Sequence, residues 1–94
     1  MKGARRIRDK LKEDLKDPEF RRAFDEEEIY ASLAIQIAKI RQKKKLTQQE
    51  LAKRLHTTQQ TVSRLENVHN ESYSLGTLIK LARVLDKRLK VELL

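Results

Sequence analysis

The stretch Leu46-Thr47-Gln48-Gln49-Glu50-Leu51-Ala52-Lys53-Arg54-Leu55-His56-Thr57-Thr58-Gln59-Gln60-Thr61-Val62-Ser63-Arg64-Leu65-Glu66-Asn67 contains two helix starts eleven residues apart. Thr47 is a cap with Glu50 three residues on, the spacing of a capping box, and it opens a helix over 48–55. Thr58 caps a second helix, from Gln59 to about Asn67. Leu51, Ala52, Leu55, Val62 and Leu65 are the positions that meet if the two helices cross steeply, and Ala52 is small where they come closest. His56 falls in the turn, where a left-handed backbone is usual. Histidine tolerates that conformation better than most residues other than glycine. Two short capped helices joined by so few residues make a helix-turn-helix.

Working outward, an apolar-periodic helix is expected over about 27–44, with Tyr30, Leu33, Ala34, Ile37, Ala38 and Ile40 apolar. Ser74 caps another helix that places Leu75, Leu78, Ile79, Ala82 and Leu85 inward. Residues 68–73 read as a polar loop. Residues 88–93 alternate, with Leu89, Val91 and Leu93 on one face, and read as a short strand with no partner in the chain. Upstream, Ala4, Ile7, Leu11 and Leu15 form a helical stripe. Asp17-Pro18-Glu19 is a strong helix start, and Phe20 and Phe24 follow at i, i+4 spacing. The expected class is all-α: a helix-turn-helix bundle over 27–86, an N-terminal helical arm over 1–26, and a C-terminal strand over 87–94.

Composition narrows the function. Ninety-four residues hold one small domain, and 22 Lys and Arg against 14 Asp and Glu give a net charge of +8. That balance favours an anionic partner such as nucleic acid. The charge is segmented: residues 29–46 carry five bases and no acid, whereas residues 17–28 carry two bases and six acids. The acids suit a helix N-terminus and Lys43-Lys44-Lys45 a helix C-terminus, so dipole complementarity accounts for part of both runs. With no cysteine, disulfides and thiolate metal sites are excluded. His56 and His69 have no third ligand, so no metal and no cofactor are expected. No motif supports nucleophilic catalysis, which argues for a binding protein rather than an enzyme. No apolar run is long enough to span a membrane, and a cytoplasmic protein is expected.

The strings Leu46-Thr47-Gln48-Gln49-Glu50-Leu51-Ala52, Thr57-Thr58-Gln59-Gln60-Thr61-Val62 and Ser63-Arg64-Leu65-Glu66-Asn67 resemble the Xre/Cro family of phage-repressor-like domains, over about residues 29–86. The resemblance implies a lambda-repressor-like bundle that binds double-stranded operator DNA as a homodimer. His56 and Val68 depart from it, each standing where glycine is common. Gln59 and Gln60 are then candidates for base edges, since a Gln amide matches the adenine N6/N7 edge. Thr61 touches a thymine methyl or completes the first turn; Arg64 reaches guanine, phosphate or a surface ion pair; Ser63 lies beside it. Gln48 and Thr58 stand at helix starts, where phosphate contact and capping are compatible. Asn67 and Asn70 are candidate backbone clamps. The resemblance also implies a structural ion pair between Arg41 and Glu66.

At the ends, Leu15-Lys16-Asp17-Pro18-Glu19-Phe20 and Lys87-Arg88-Leu89-Lys90-Val91-Glu92-Leu93 resemble HigA-type antitoxins, which neutralise RelE/HigB-like ribonuclease toxins and repress their own operons. On that reading Leu11, Leu15, Phe20 and Phe24 anchor a toxin, although docking on their own domain is equally open. Leu89, Val91 and Leu93 would pair two copies through the strand. A plain repressor without a toxin and a coactivator-type bridging protein of the same fold are the alternatives.

Overall fold

The computed structural model describes residues 11–94, so Ala4 and Ile7 of the arm stripe lie outside the described residues. Residues 11–14 are helical. Four further helices follow: α1 (Pro18–Lys43), α2 (Gln48–Arg54), α3 (Gln59–Leu65) and α4 (Leu75–Val84).

Helix α1 starts where the sequence sets its start. Asp17 is the N-cap, its carboxylate accepting from the Glu19 N–H at 3.0 Å, and Pro18 fills the first turn. It then runs for 26 residues without a break. The residue pattern suggests two helices here, with an arm–domain boundary at residue 26. No glycine or proline separates Phe24 from Ile29, and the intervening Asp25-Glu26-Glu27-Glu28 is mostly good helix-forming glutamate, so the helix continues through that boundary.

Only the second half of α1 enters the core. Ala34 and Ile37 are buried, with Leu46, Leu51, Ala52, Leu55, Val62, Leu65, Leu81 and Leu85. Leu51 and Val62 are fully enclosed where α2 crosses α3. Among the described residues no polar or charged residue is buried as a whole, although the side chains of Arg41 and Glu66 are largely enclosed. Tyr73, in the loop read as polar, stacks on Tyr30 with ring centroids 6.2 Å apart and donates its hydroxyl to the Leu65 carbonyl. It thus ties α1 to the end of α3.

Two expectations need correction. Leu75 and Ile79 are exposed; Leu81 is the residue of α4 that the core encloses, flanked by half-buried Leu78 and Ala82. At about 100° per residue Leu75 and Ile79 are rotated away from Leu78, Leu81 and Leu85, so they flank the packed face of α4 instead of entering it. The strand over 88–93 does not form, and there is no strand among the described residues. A strand needs a ladder partner, and the described chain supplies none. Leu89 is half-buried while Val91 and Leu93 remain exposed.

Three helices end on a left-handed residue that is not glycine: Lys45 (φ 57°), His56 (φ 55°) and Asp86 (φ 55°). The next residue in each case closes a long turn, with Leu46 N–H to Arg41 O, Thr57 N–H to Ala52 O and Lys87 N–H to Ala82 O at 3.1, 2.9 and 2.7 Å. A side chain at such a position costs roughly 1–2 kcal/mol, part of which glycine returns as unfolded-state entropy. His56→Gly should therefore stabilise the domain by roughly 0.5–1 kcal/mol, raising the thermal midpoint by about 3–6 °C. Calorimetry on the two proteins checks this, and an unchanged or lower midpoint would mean that the imidazole contributes a contact of its own.

Candidate nucleic-acid interface

The turn between α2 and α3 fixes what faces outward. Thr47 Oγ1 accepts from the Glu50 N–H at 3.0 Å, and Glu50 Oε1 accepts from the Thr47 N–H at 3.1 Å. The backbone N–H of Thr47, then its hydroxyl, hold the Glu50 carboxyl below its usual range. The capping box is therefore intact above the ordinary glutamate pKa and weakens only as pH falls through the lowered native value. Helix α2 is C-capped by Leu55, and His56 in the left-handed region redirects the chain. Thr58 then caps α3, accepting from the Thr61 N–H at 3.2 Å.

The eight candidate DNA residues fall into two groups. Gln59, Gln60, Ser63 and Arg64 are exposed on the first two turns of α3, and their side chains make no hydrogen bond among the described residues. They are free to meet a ligand. The other four have partners. Thr58 and Thr61 share a hydroxyl–hydroxyl hydrogen bond of 3.0 Å. Asn67 Oδ1 accepts from the His69 N–H at 2.9 Å, shaping its own loop. Half-buried Gln48 donates its Nε2 to Glu66 Oε1 at 3.2 Å. Asn70 likewise turns inward on its loop, accepting from the Ser72 N–H at 3.3 Å.

Behind this face lies a polar knot. Arg41 Nε donates to Glu66 Oε2 at 2.6 Å and Nη2 to Glu66 Oε1 at 2.9 Å, a bidentate pair. The third donor, Nη1, reaches the Leu46 carbonyl at 2.7 Å. The two side chains are only 12% and 6% exposed. The hydrogen bond to Glu66 pushes the Arg41 pKa up, outweighing the opposing effect of burial. One guanidinium thus joins the end of α1, the entry to α2 and the end of α3. The Gln48 and Leu46 contacts of this knot were not foreseen; each involves an orientation that residue type alone does not specify. Tyr73 was missed as well, although a lone aromatic in a polar loop was a usable signal.

A family model described as Helix-turn-helix matches residues 37–91, more than half of the chain. The chain belongs to the Xre-type helix-turn-helix family. As a helix-turn-helix protein it is a DNA-binding transcription regulator, and α3 is the second helix of the motif, the position that DNA-binding helix-turn-helix proteins place in the major groove. No curated protein matches the chain, and no solved structure does. No described helix is long and apolar enough to cross a membrane, and no group of three or more His, Asp or Glu among the described residues could hold a metal ion.

The arm candidates lie apart from α3 in the chain. Phe20 and Phe24 stack with centroids 6.5 Å apart on the first turns of α1. Leu11 and Phe20 are exposed, and Leu15 and Phe24 half-buried. None of the four belongs to the hydrophobic core.

Proposed function

We propose that this protein is an operator-binding repressor that reads base edges with Gln59 and Gln60, and that its N-terminal segment makes it an antitoxin of the HigA type against a RelE/HigB-like ribonuclease. The observation that carries the first half is the split within the candidate set. Gln59, Gln60, Ser63 and Arg64 are exposed and uncommitted, whereas the neighbouring polar side chains are used to hold the motif together. A bidentate Gln–adenine contact discriminates by roughly 1–3 kcal/mol, so Gln59→Ala and Gln60→Ala should each weaken operator binding about tenfold and leave scrambled DNA almost untouched. Electrophoretic mobility shifts on both duplexes over a salt series measure this. Equal weakening on both would mean that α3 docks another way. Two copies on a two-fold operator, with half-sites roughly 34–36 Å apart, belong to the same reading.

Support for the second half is the apolar stripe of the arm, of which Leu11 and Phe20 are exposed and Leu15 and Phe24 half-buried. Leu11, Leu15, Phe20 and Phe24 are spaced as anchors for a groove on another protein. Phe20→Ala/Phe24→Ala in the full chain should keep operator affinity within about twofold, because both residues lie outside the core, and should abolish rescue of cells expressing the ribonuclease of the neighbouring reading frame. Undiminished rescue would leave a plain repressor as the reading.

A further inference from the structure

The protein carries a second concentration of positive charge that α3 does not use. Lys43, Lys44 and Lys87 line an open depression of about 320 Å³ floored by Ile40. Two elements meet there: the C-terminal end of α1, and the chain just after α4, folded back by the left-handed Asp86 and the Lys87 N–H to Ala82 O bond. Among the described residues no carboxylate lines the depression. The nearest acid, Asp86, pairs with Lys44 at 3.4 Å and is 80% exposed, so it neutralises little. Residues 29–46 contain no acid at all, and Arg88 extends the charge along the C-terminal segment, whereas Lys90 pairs with Glu92 at 3.5 Å.

Helix-dipole complementarity accounts for each lysine taken singly, Lys43 and Lys44 at the end of α1 and Lys87 just after α4, but not for the meeting of the two helix ends around one concavity. Three ammonium groups around one concavity suit an anion whose charges repeat along a line. A phosphodiester strand is such an anion, with one charge every 3.4 Å or so along each strand of a duplex. The lining residues come from α1 and the segment after α4, and none comes from α2 or α3. In the chain, exposed Lys45 follows Lys44 directly and stands three residues before Gln48 at the start of α2.

We infer that Lys43, Lys44 and Lys87 hold the phosphate backbone of DNA flanking the base pairs that α3 reads, so that full affinity needs duplex beyond the half-site. This rests on the DNA-binding reading above, but assigns residues and a stretch of DNA which that reading leaves out.

The test uses the full chain and a duplex selected by it from a random pool, prepared trimmed to the selected site and with about one extra helical turn on each side. Lys43→Gln/Lys87→Gln should lower the salt slope of binding by about two on the flanked duplex, whatever the flanking sequence, and leave the slope on the trimmed duplex unchanged. An unchanged slope on flanked DNA overturns the inference. So does an equal loss on both duplexes, which would place the lysines on the half-site itself, and so does a lowered thermal midpoint with no change in slope, which would make them helix-end residues only. If selection yields no preferred sequence, base reading by Gln59 and Gln60 fails. The lysine contact is then still judged, by whether the slope on a long random duplex falls by about two.

Discussion

Arg41→Met should destabilise the domain by roughly 3 kcal/mol, near the low end of what stranding one member of a buried ion pair costs. The substitution leaves Glu66, 6% exposed, with a carboxylate that has lost both guanidinium donors and keeps only the Gln48 amide. It also removes the donor from the Leu46 carbonyl. The penalty is that of an orphaned charge rather than of a lost attraction, and a second substitution separates the two. Arg41→Met/Glu66→Leu removes the stranded carboxylate and should recover stability to within about 1 kcal/mol of the parent. Urea unfolding with an unchanged slope gives both numbers. If the double variant is no better than the single one, then the knot contributes chiefly by its hydrogen bonds to Leu46 and Gln48, which no apolar pair replaces.

Leu51→Ala should be as severe, costing roughly 3–5 kcal/mol. Leu51 is fully enclosed at the crossing of α2 and α3, beside Val62, and the short helices leave few neighbours that could close over the gap. A domain of this size has only about 5–10 kcal/mol of stability in total, so the variant should be largely unfolded well below the melting range of the parent. Leu75→Ala is the paired control. Leu75 is 58% exposed, and its truncation should change stability by no more than about 0.5 kcal/mol. Circular dichroism during heating compares the two, and similar losses would place the first turn of α4 in the core after all.

The contrast between these leucines marks what a sequence conveys and what it does not. Leu51, Ala52, Leu55, Val62 and Leu65 could be read as a core because capping threonines fix where each helix begins, and hence which face each residue takes. Asp17-Pro18 gave the start of α1 for the same reason. Leu75 and Ile79 lie beside Leu78 and Leu81 on the apolar side of α4, yet apolar spacing alone cannot say how wide a face of α4 its neighbours cover. The continuity of α1 was hidden by the clustered acids, which look like a fresh N-terminus and are also good helix interior. Alternation at 88–93 is a demand for a partner ladder, and the chain by itself does not meet that demand. At the interface, residue type located Gln59 and Gln60. The division between side chains left free and side chains already engaged required knowing that Gln48 turns to Glu66 and Thr61 to Thr58.

The unbroken course of α1 also sets how its two halves order in time. Starting a helix is the improbable step, because several residues must be fixed before the first hydrogen bond forms, whereas lengthening an existing one adds a bond per residue. The half from Ala34 onward is seeded by the bundle, and the acidic half carrying Phe20 and Phe24 grows outward from that seed without nucleating its own first turn. Its amide protection should decline residue by residue toward Asp17 instead of vanishing as a block. A protein that clasped the outer turns would thereby steady a helix whose other end lies beside Leu46 and the DNA-reading motif.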